Sequence, residues 1–216
     1  MTAQKRALIV HGGWAGHTPA ESAEAAREML AGQGVDVTLS GSTSAFADPA
    51  LDRFDLVVPM ITMSTIEDAE VEQLARTVRA GTGLAGMHGL MCDSFRNSPP
   101  YQFMTGGQWV AHPGGIVDYT VNVTRPDDPV MEGIEDFAYR SEQYYMHVDP
   151  ANEVLATTTF DGSRVQEIAG VVMPVVWKRR FGQGRVFFSA LGHTAAEFEV
   201  PQMRRIFERG LLWAMR

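Results

Sequence analysis

Six histidines, one cysteine and a set of tryptophans and tyrosines carry whatever chemistry this 216-residue chain performs. Four of the histidines fall where apolar strand-like runs give way to loops. His11 closes the run 6–11, His17 follows in a glycine-rich loop, His88 closes 84–88, and His193 follows 185–190. Neutral imidazole binds metals and moves protons near pH 7. His88, His112 and His193 are the candidate metal ligands, since three imidazoles leave an open position on a catalytic zinc. His112 lies in a loop flanked by Gly106-Gly107 and Gly114-Gly115, where missing side chains let the backbone approach a ligand. Glu142 supplies a carboxylate, and His88 and Glu142 are the candidate catalytic pair for moving a proton. In a strand over 138–148, Glu142 and Tyr144 share one face and Tyr145 and His147 the other. His11 and His147 read as hydrogen-bonded structural residues. No H-E-x-x-H or C-x-x-C spacing is present.

Aromatic residues accompany the imidazoles. Trp14, Trp109 and Tyr144, with Tyr145, offer flat apolar surfaces of the kind that hold sugar rings, whereas Trp177 and Trp213 read as core. Trp14, His17, Trp109 and Tyr144 are the candidate substrate contacts. The loop Gly12-Gly13-Trp14-Ala15-Gly16 follows a strand, yet it has neither G-x-G-x-x-G spacing nor a phosphate-binding lysine, so no nucleotide is expected.

The elements that must position these residues follow from periodicity. Runs at 6–11, 35–39, 56–61 and 84–88 read as parallel strands. Residues 19–31 read as a helix with Ala23, Ala26, Met29 and Leu30 on one face, started by a Thr18 cap, Pro19 and a capping-box Glu21. A second helix spans 67–79 and buries Val71, Leu74, Ala75 and Val78, with Gly81 at its end. Strand runs at 119–123, 138–148 and 154–160 follow. A hairpin joins 175–180 to 185–190 through Phe181-Gly182-Gln183-Gly184, and a helix over 201–215 closes the chain. This order predicts a single α/β domain, a three-layer sandwich around a mostly parallel sheet with a C-terminal β-hairpin, its ligands at the carboxyl ends of the strands.

Composition removes several function classes. Hydrophobic residues make up 45% and charged residues 20%, which excludes a disordered chain. A net charge of −8 without a basic cluster argues against nucleic acid. The apolar runs are too short to cross a membrane, and residues 1–10 show no leader pattern, so a cytoplasmic location is expected. The lone Cys92 cannot form an internal disulfide and suits a reducing compartment. Methionines and aromatics in the second half are compatible with a homo-oligomer.

Gly83-Leu84-Ala85-Gly86-Met87-His88-Gly89 resembles the strand-to-turn elbow of class I glutamine amidotransferase-like folds, with His88 where those enzymes carry their nucleophilic cysteine. Cys92 lies four residues beyond the elbow and reads as an inert thiol. The wider pattern resembles the ThuA-like family, named for trehalose utilisation. It comprises the loop 12–17, the elbow, Gly106-Gly107 through His112-Pro113, and Glu142-Gln143-Tyr144, and it continues through 174–177, Gly182-Gln183-Gly184-Arg185-Val186 and Leu191-Gly192-His193. That resemblance implies a flavodoxin-like fold without the cysteine triad and a part in carbohydrate utilisation, with oxidised 3-keto glucosides or disaccharides as substrates. By position it implies His17, His88, His112, Glu142 and His193 as pocket residues, with His17 packed over the elbow.

Two functions stay open. One is an enzyme of isomerase or lyase type that moves a proton beside a keto-sugar carbonyl, with zinc, manganese or iron as candidate cofactor. The other is a non-catalytic sugar-binding or regulatory module on the same scaffold. A glycosidase needs two carboxylates, and only Glu142 stands out in the sequence.

Overall fold

Strands without polar interruption form the buried centre of the computed structural model, which describes residues 4–216; the first three residues of the N-terminal stretch read above lie outside it. In chain order the first elements are β1 (Arg6–Gly13), α1 (Pro19–Gly32), β2 (Asp36–Ser40), β3 (Leu56–Thr62), α2 (Asp68–Arg79) and β4 (Gly83–Met87). Every residue of β3 and β4 is buried, as expected of parallel strands covered on both faces. Helix α2 opens with a capping box, its Glu67 backbone N–H donating to the Glu70 carboxylate at 3.0 Å. Helix α1 does not have the expected Thr18 cap. Thr18 adopts φ 45°, and its Oγ1 instead accepts the Ala195 N–H at 2.8 Å. Its left-handed backbone takes the hydroxyl off the helix's free N–H groups, leaving it 3.4 Å from the Ser22 hydroxyl, and ties the first loop to the segment after the last strand.

The second half contains α3 (Gly89–Cys92), α4 (Pro99–Thr105), β5 (Gly107–Ala111), β6 (Ile116–Val123), β7 (Phe137–Glu142), β8 (Tyr145–Val148), β9 (Glu153–Thr159), β10 (Val172–Phe181), β11 (Gly184–Ser189) and α5 (Pro201–Ala214). Two expectations change here. The loop around Trp109 contains a strand, since β5 pairs with β8 in a separate two-stranded ribbon with Gln108 opposite His147. The single strand expected over 138–148 breaks at Gln143-Tyr144. Both residues are buried, which ends the alternation, and Gln143 Nε2 donates to Thr158 Oγ1 at 2.8 Å.

The main sheet has nine strands in the order β2-β1-β3-β4-β11-β10-β9-β6-β7. The strands from β2 to β11 are parallel, and from β10 outward each pairs antiparallel with its neighbour. This antiparallel wing is larger than the single hairpin predicted from the sequence. Chain connections leave β1 toward one edge and β3 toward the other, so right-handed crossovers place α1 and α2 on opposite faces. Helix α5 packs beside α1, and α4 beside α2. Trp177, Phe187 and Phe188 are fully buried at the centre, each burial contributing about 2–3 kcal/mol. Trp213 is partly buried, under the Lys178 ammonium.

The wing curls back on the parallel half. Three strands separate β7 from β11, yet Tyr139 on β7 accepts the Gly192 N–H just after β11 at 3.2 Å, and Ser141 donates to Glu197 at 2.8 Å. That curl brings the end of β7 over the carboxyl ends of the parallel strands.

Candidate functional site

The carboxyl ends of four parallel strands and the end of β7 meet at one point. His17 follows β1, Thr62 ends β3, His88 follows β4, His193 follows β11, and Glu142 ends β7. His88 sits at φ 46°, ψ −146°, a sparsely populated conformation for a residue with a side chain. Its backbone N–H donates to the Ser189 carbonyl at 2.7 Å, which holds the elbow in place. Gly89 follows because nothing larger fits: a Cβ there would lie 2.3 Å from Cε1 of His17 and 2.8 Å from the Tyr144 hydroxyl.

Three imidazoles surround one carboxylate oxygen. From Oε2 of Glu142, His88 Nε2 lies at 3.1 Å, His193 Nδ1 at 3.4 Å and His17 Nε2 at 3.9 Å. One donor atom from each of the four residues lies within 4.8 Å of all the others. His112 approaches from the open side, its Nε2 3.7 Å from Oε1. The structure thus groups His17, rather than His112, with His88 and His193. Tyr144 is sandwiched between His88, stacked at 4.0 Å, and His112, at 6.2 Å.

Polar partners behind the rings fix their orientation. His88 Nδ1 lies 2.8 Å from the Ala190 carbonyl oxygen, which can only accept, so the ring proton sits on Nδ1 and Nε2 presents a lone pair to Glu142. Burial holds the His88 imidazole down to about 4, so this ring is neutral at pH 7. Burial pushes the Glu142 carboxyl up, but the His17 and His193 rings outweigh it and hold the carboxyl far below the usual carboxylate range. Glu142 in turn raises His193, whose Nδ1 is buried without a hydrogen bond. His17 Nδ1 is 2.9 Å from the Thr62 hydroxyl.

These observations fit a divalent cation. Two acceptors facing one another at 3.1 Å lack a positive centre between them. Ligands on a tetrahedral ion with bonds of about 2.0–2.1 Å stand about 3.3 Å apart, near the spacing around Oε2. The carbonyl behind His88 and the hydroxyl behind His17 are the outer partners that metal-bound imidazoles use.

Trp14, Trp109 and His112 line a cavity of about 390 Å³ in front of the cluster, and Glu142, His17 and Tyr144 form its inner wall. His88 and His193 do not line it. His88 is fully buried, and His11 and His147 lie outside the site. A larger space of about 660 Å³ over β6 and β7 contains no imidazole.

Three cavity residues have no counterpart among the sequence candidates. Asp93 is buried at the cavity wall, and burial, opposed by Arg96, pushes its carboxyl up. Arg96 pairs with Asp93 and stacks its guanidinium 4.4 Å from the Trp109 ring centre. Met63, at φ 51°, is held by its N–H donating to the Asp93 carbonyl at 2.9 Å. The expectation of a single pocket carboxylate is therefore corrected. The available signal was the i, i+3 spacing of Asp93 and Arg96 just beyond the elbow.

Comparison with known proteins follows the same lines. The family model ThuA, described as trehalose utilisation, matches residues 6–214. A ThuA-like protein from Bacteroides uniformis superposes with a TM-score of 0.80 at 18% identity, covering 99% of this chain and 93% of that one. A ThuA-like protein from Parabacteroides merdae gives 0.79 at 18% identity, covering 98% and 90%. A β-galactosidase from Bacillus circulans gives 0.62 at 13% identity, covering 97% of this chain but 30% of that one. These likenesses are of fold. No curated protein matches the chain. Among the described residues no helix is long and apolar enough to cross a membrane.

Proposed function

Because the chain belongs to the ThuA family, described as trehalose utilisation, we propose that it is a carbohydrate-utilisation enzyme of isomerase or lyase type. It moves a proton on a keto sugar, with zinc, manganese or iron held by His17, His88, His193 and Glu142. The observation that carries the reading is the convergence of three imidazole nitrogens on one buried, ionised carboxylate at the wall of a cavity.

A cation bound there supplies Lewis-acid stabilisation of the oxygen that gains charge when a carbon beside a carbonyl loses its proton. The remaining work falls to side chains. His112 is the proton carrier, since it lines the cavity, lies 3.7 Å from Oε1 of Glu142 and keeps a buried, unpartnered Nδ1. Glu142 stabilises the imidazolium that His112 becomes on accepting the proton. His88 is shut off from the cavity, so its part is to hold the cation beside Glu142 and not to touch the sugar. Trp14 and Trp109 offer flat faces to the C–H surface of the ring.

A glycosidase mechanism fits less well, although Asp93 supplies a second carboxylate. Glu142, held ionised among imidazoles, suits only the nucleophile or base, and the general acid would have to be Asp93, whose carboxyl is already paired with Arg96.

Elemental mass spectrometry after incubation with each cation tests the assignment. Wild-type protein retains near one equivalent, and His17→Ala, His193→Ala and Glu142→Ala lose it. His112→Ala keeps the ion and loses turnover of a 3-keto glucoside. Retention by His193→Ala and Glu142→Ala removes the metal assignment. Sugar binding without turnover in the loaded wild type returns the non-catalytic module.

A further inference from the structure

We propose that Glu197, which stands outside the donor set, is the positioning residue that fixes the spacing between His193 and Glu142. The inference rests on the cation reading above and deepens it. Glu197 belongs neither to the four donor residues nor to the wall of the cavity in front of them. Its carboxylate instead joins two pieces of chain that each carry a donor. Oε1 accepts the hydroxyl of Ser141, the residue before Glu142, at 2.8 Å, and Oε2 accepts the His193 backbone N–H at 3.2 Å. Oε2 also accepts the Tyr139 hydroxyl, whose oxygen takes the Gly192 N–H at 3.2 Å.

The local chain accounts for only part of this pattern. Glu197 stands three residues after Thr194, the cap of a short 3-10 turn over Ala195–Glu199, and a glutamate there commonly reaches back to the free N–H groups at the start of the turn. Such a bond needs one oxygen and no distant partner. Here the other oxygen, and a second bond to the first, go to residues of β7 that lie 56 and 58 positions away. Ser141 and Tyr139 are buried, so neither hydroxyl can trade the carboxylate for water where it stands.

The same turn reaches a third donor. The Ala195 N–H donates to Thr18 Oγ1 at 2.8 Å, next to His17 in the chain. The loop of His17, the backbone of His193 and the strand end of Glu142 are therefore all pinned to residues 193–197. A carboxylate that holds the backbone on both sides of an ion pair acts through distance, and the distance here is the 3.4 Å between His193 Nδ1 and Glu142 Oε2. Groups behind the ligands govern metal affinity in this way.

Zinc affinity, read by competition with a chromophoric chelator, and crystal structures of the metal-free variants test this together. Glu197→Ala binds zinc about tenfold more weakly, the lower end of the loss expected when an outer partner is removed. Its His193–Glu142 separation widens by more than about 0.5 Å, the tolerance of a preorganised site. Glu197→Gln keeps the wild-type affinity and separation, because its amide oxygen can accept the Tyr139 and His193 hydrogens while its nitrogen donates to the Ser141 hydroxyl. Ser141→Ala removes one hydroxyl, loses affinity by a smaller factor, and decides the matter should Glu197→Ala not fold. Thr82→Ala is the stability control: it deletes a buried bond to the Phe54 carbonyl at the opposite end of β4, melts earlier and keeps wild-type affinity. Wild-type affinity in both Glu197→Ala and Ser141→Ala, an unchanged separation in Glu197→Ala, or a loss as large in Glu197→Gln or Thr82→Ala overturns the inference. If the wild type binds no zinc but the separation opens in Glu197→Ala and is restored in Glu197→Gln, the cation assignment fails and the role of Glu197 stands.

Discussion

His88 Nε2 and Glu142 Oε2 face each other at 3.1 Å, and the Ala190 carbonyl behind the imidazole commits its proton to the other nitrogen. A lone pair therefore points at a carboxylate, from an imidazole that is itself fully buried. A cation between them, or a donor in place of the carboxylate, relieves the contact.

Glu142→Gln follows from that relationship. The amide can donate to His88 Nε2, which offsets part of the pairing with His17 and His193 that the neutral side chain gives up, so the metal-free variant melts only slightly below the wild type. Cation affinity falls about 10–100-fold with the loss of the charged ligand. Thermal melts with and without zinc give both answers: the wild type is raised by zinc and the variant much less. A variant raised as far as the wild type would contradict the ligand assignment.

Gly89→Ala tests the packing of the elbow. The added methyl would fall 2.3 Å from His17 Cε1, so the ring must move. Overpacking of this kind costs about 1–3 kcal/mol in urea unfolding. Because His17 is displaced, the variant also loses cation binding at pH 7 while still folded.

Cys92 separates this site from thiolate chemistry. It is fully buried, and burial pushes its thiol up. Ellman's reagent will leave native protein unmodified and label one thiol after denaturation. Turnover by Cys92→Ala will match wild type; loss of turnover with the fold intact would reopen the thiol's role.

Asp55 gives a pH dependence outside the site. Burial pushes its carboxyl up, but the Arg6 N–H, Lys5 and Arg216 outweigh burial and leave it below the ordinary value. A folded value below the unfolded one, about 3.9, means the contribution is present above that pH and is lost as pH falls through the folded value. Asp55→Asn will therefore be less stable than wild type by about 1 kcal/mol at pH 7, and the difference will close in strong acid. A gap that persists or widens in acid would rule out this linkage.

Much of the scaffold was legible because its signals are local. The periodic faces of α1, α2 and α5, the apolar runs of β1, β3 and β4, and the β10–β11 hairpin appear near their expected places. His88 and His193 were legible as strand-end residues. The exchange of His112 for His17 around Oε2 was not, since sequence spacing cannot say which of two loop imidazoles tilts inward. Asp93, Arg96 and Met63 were hidden in a segment without periodicity, and β5 in a glycine-rich stretch that looked like a loop. The curl of the wing rests on Tyr139 and Ser141 meeting Glu197, which lies more than fifty positions further along the chain.

That curl also sets the order in which the site can come into being. The histidines of the cluster stand on loops of the parallel half, whereas Glu142 arrives only after β6 to β10 have paired and Tyr139 has found Gly192. Pairings so distant in sequence form late in folding. A partly folded chain therefore offers at most imidazoles to a passing ion, and the complete donor set appears with the finished fold. Ion capture and closure of the wing are thus linked events, each drawing the other toward completion.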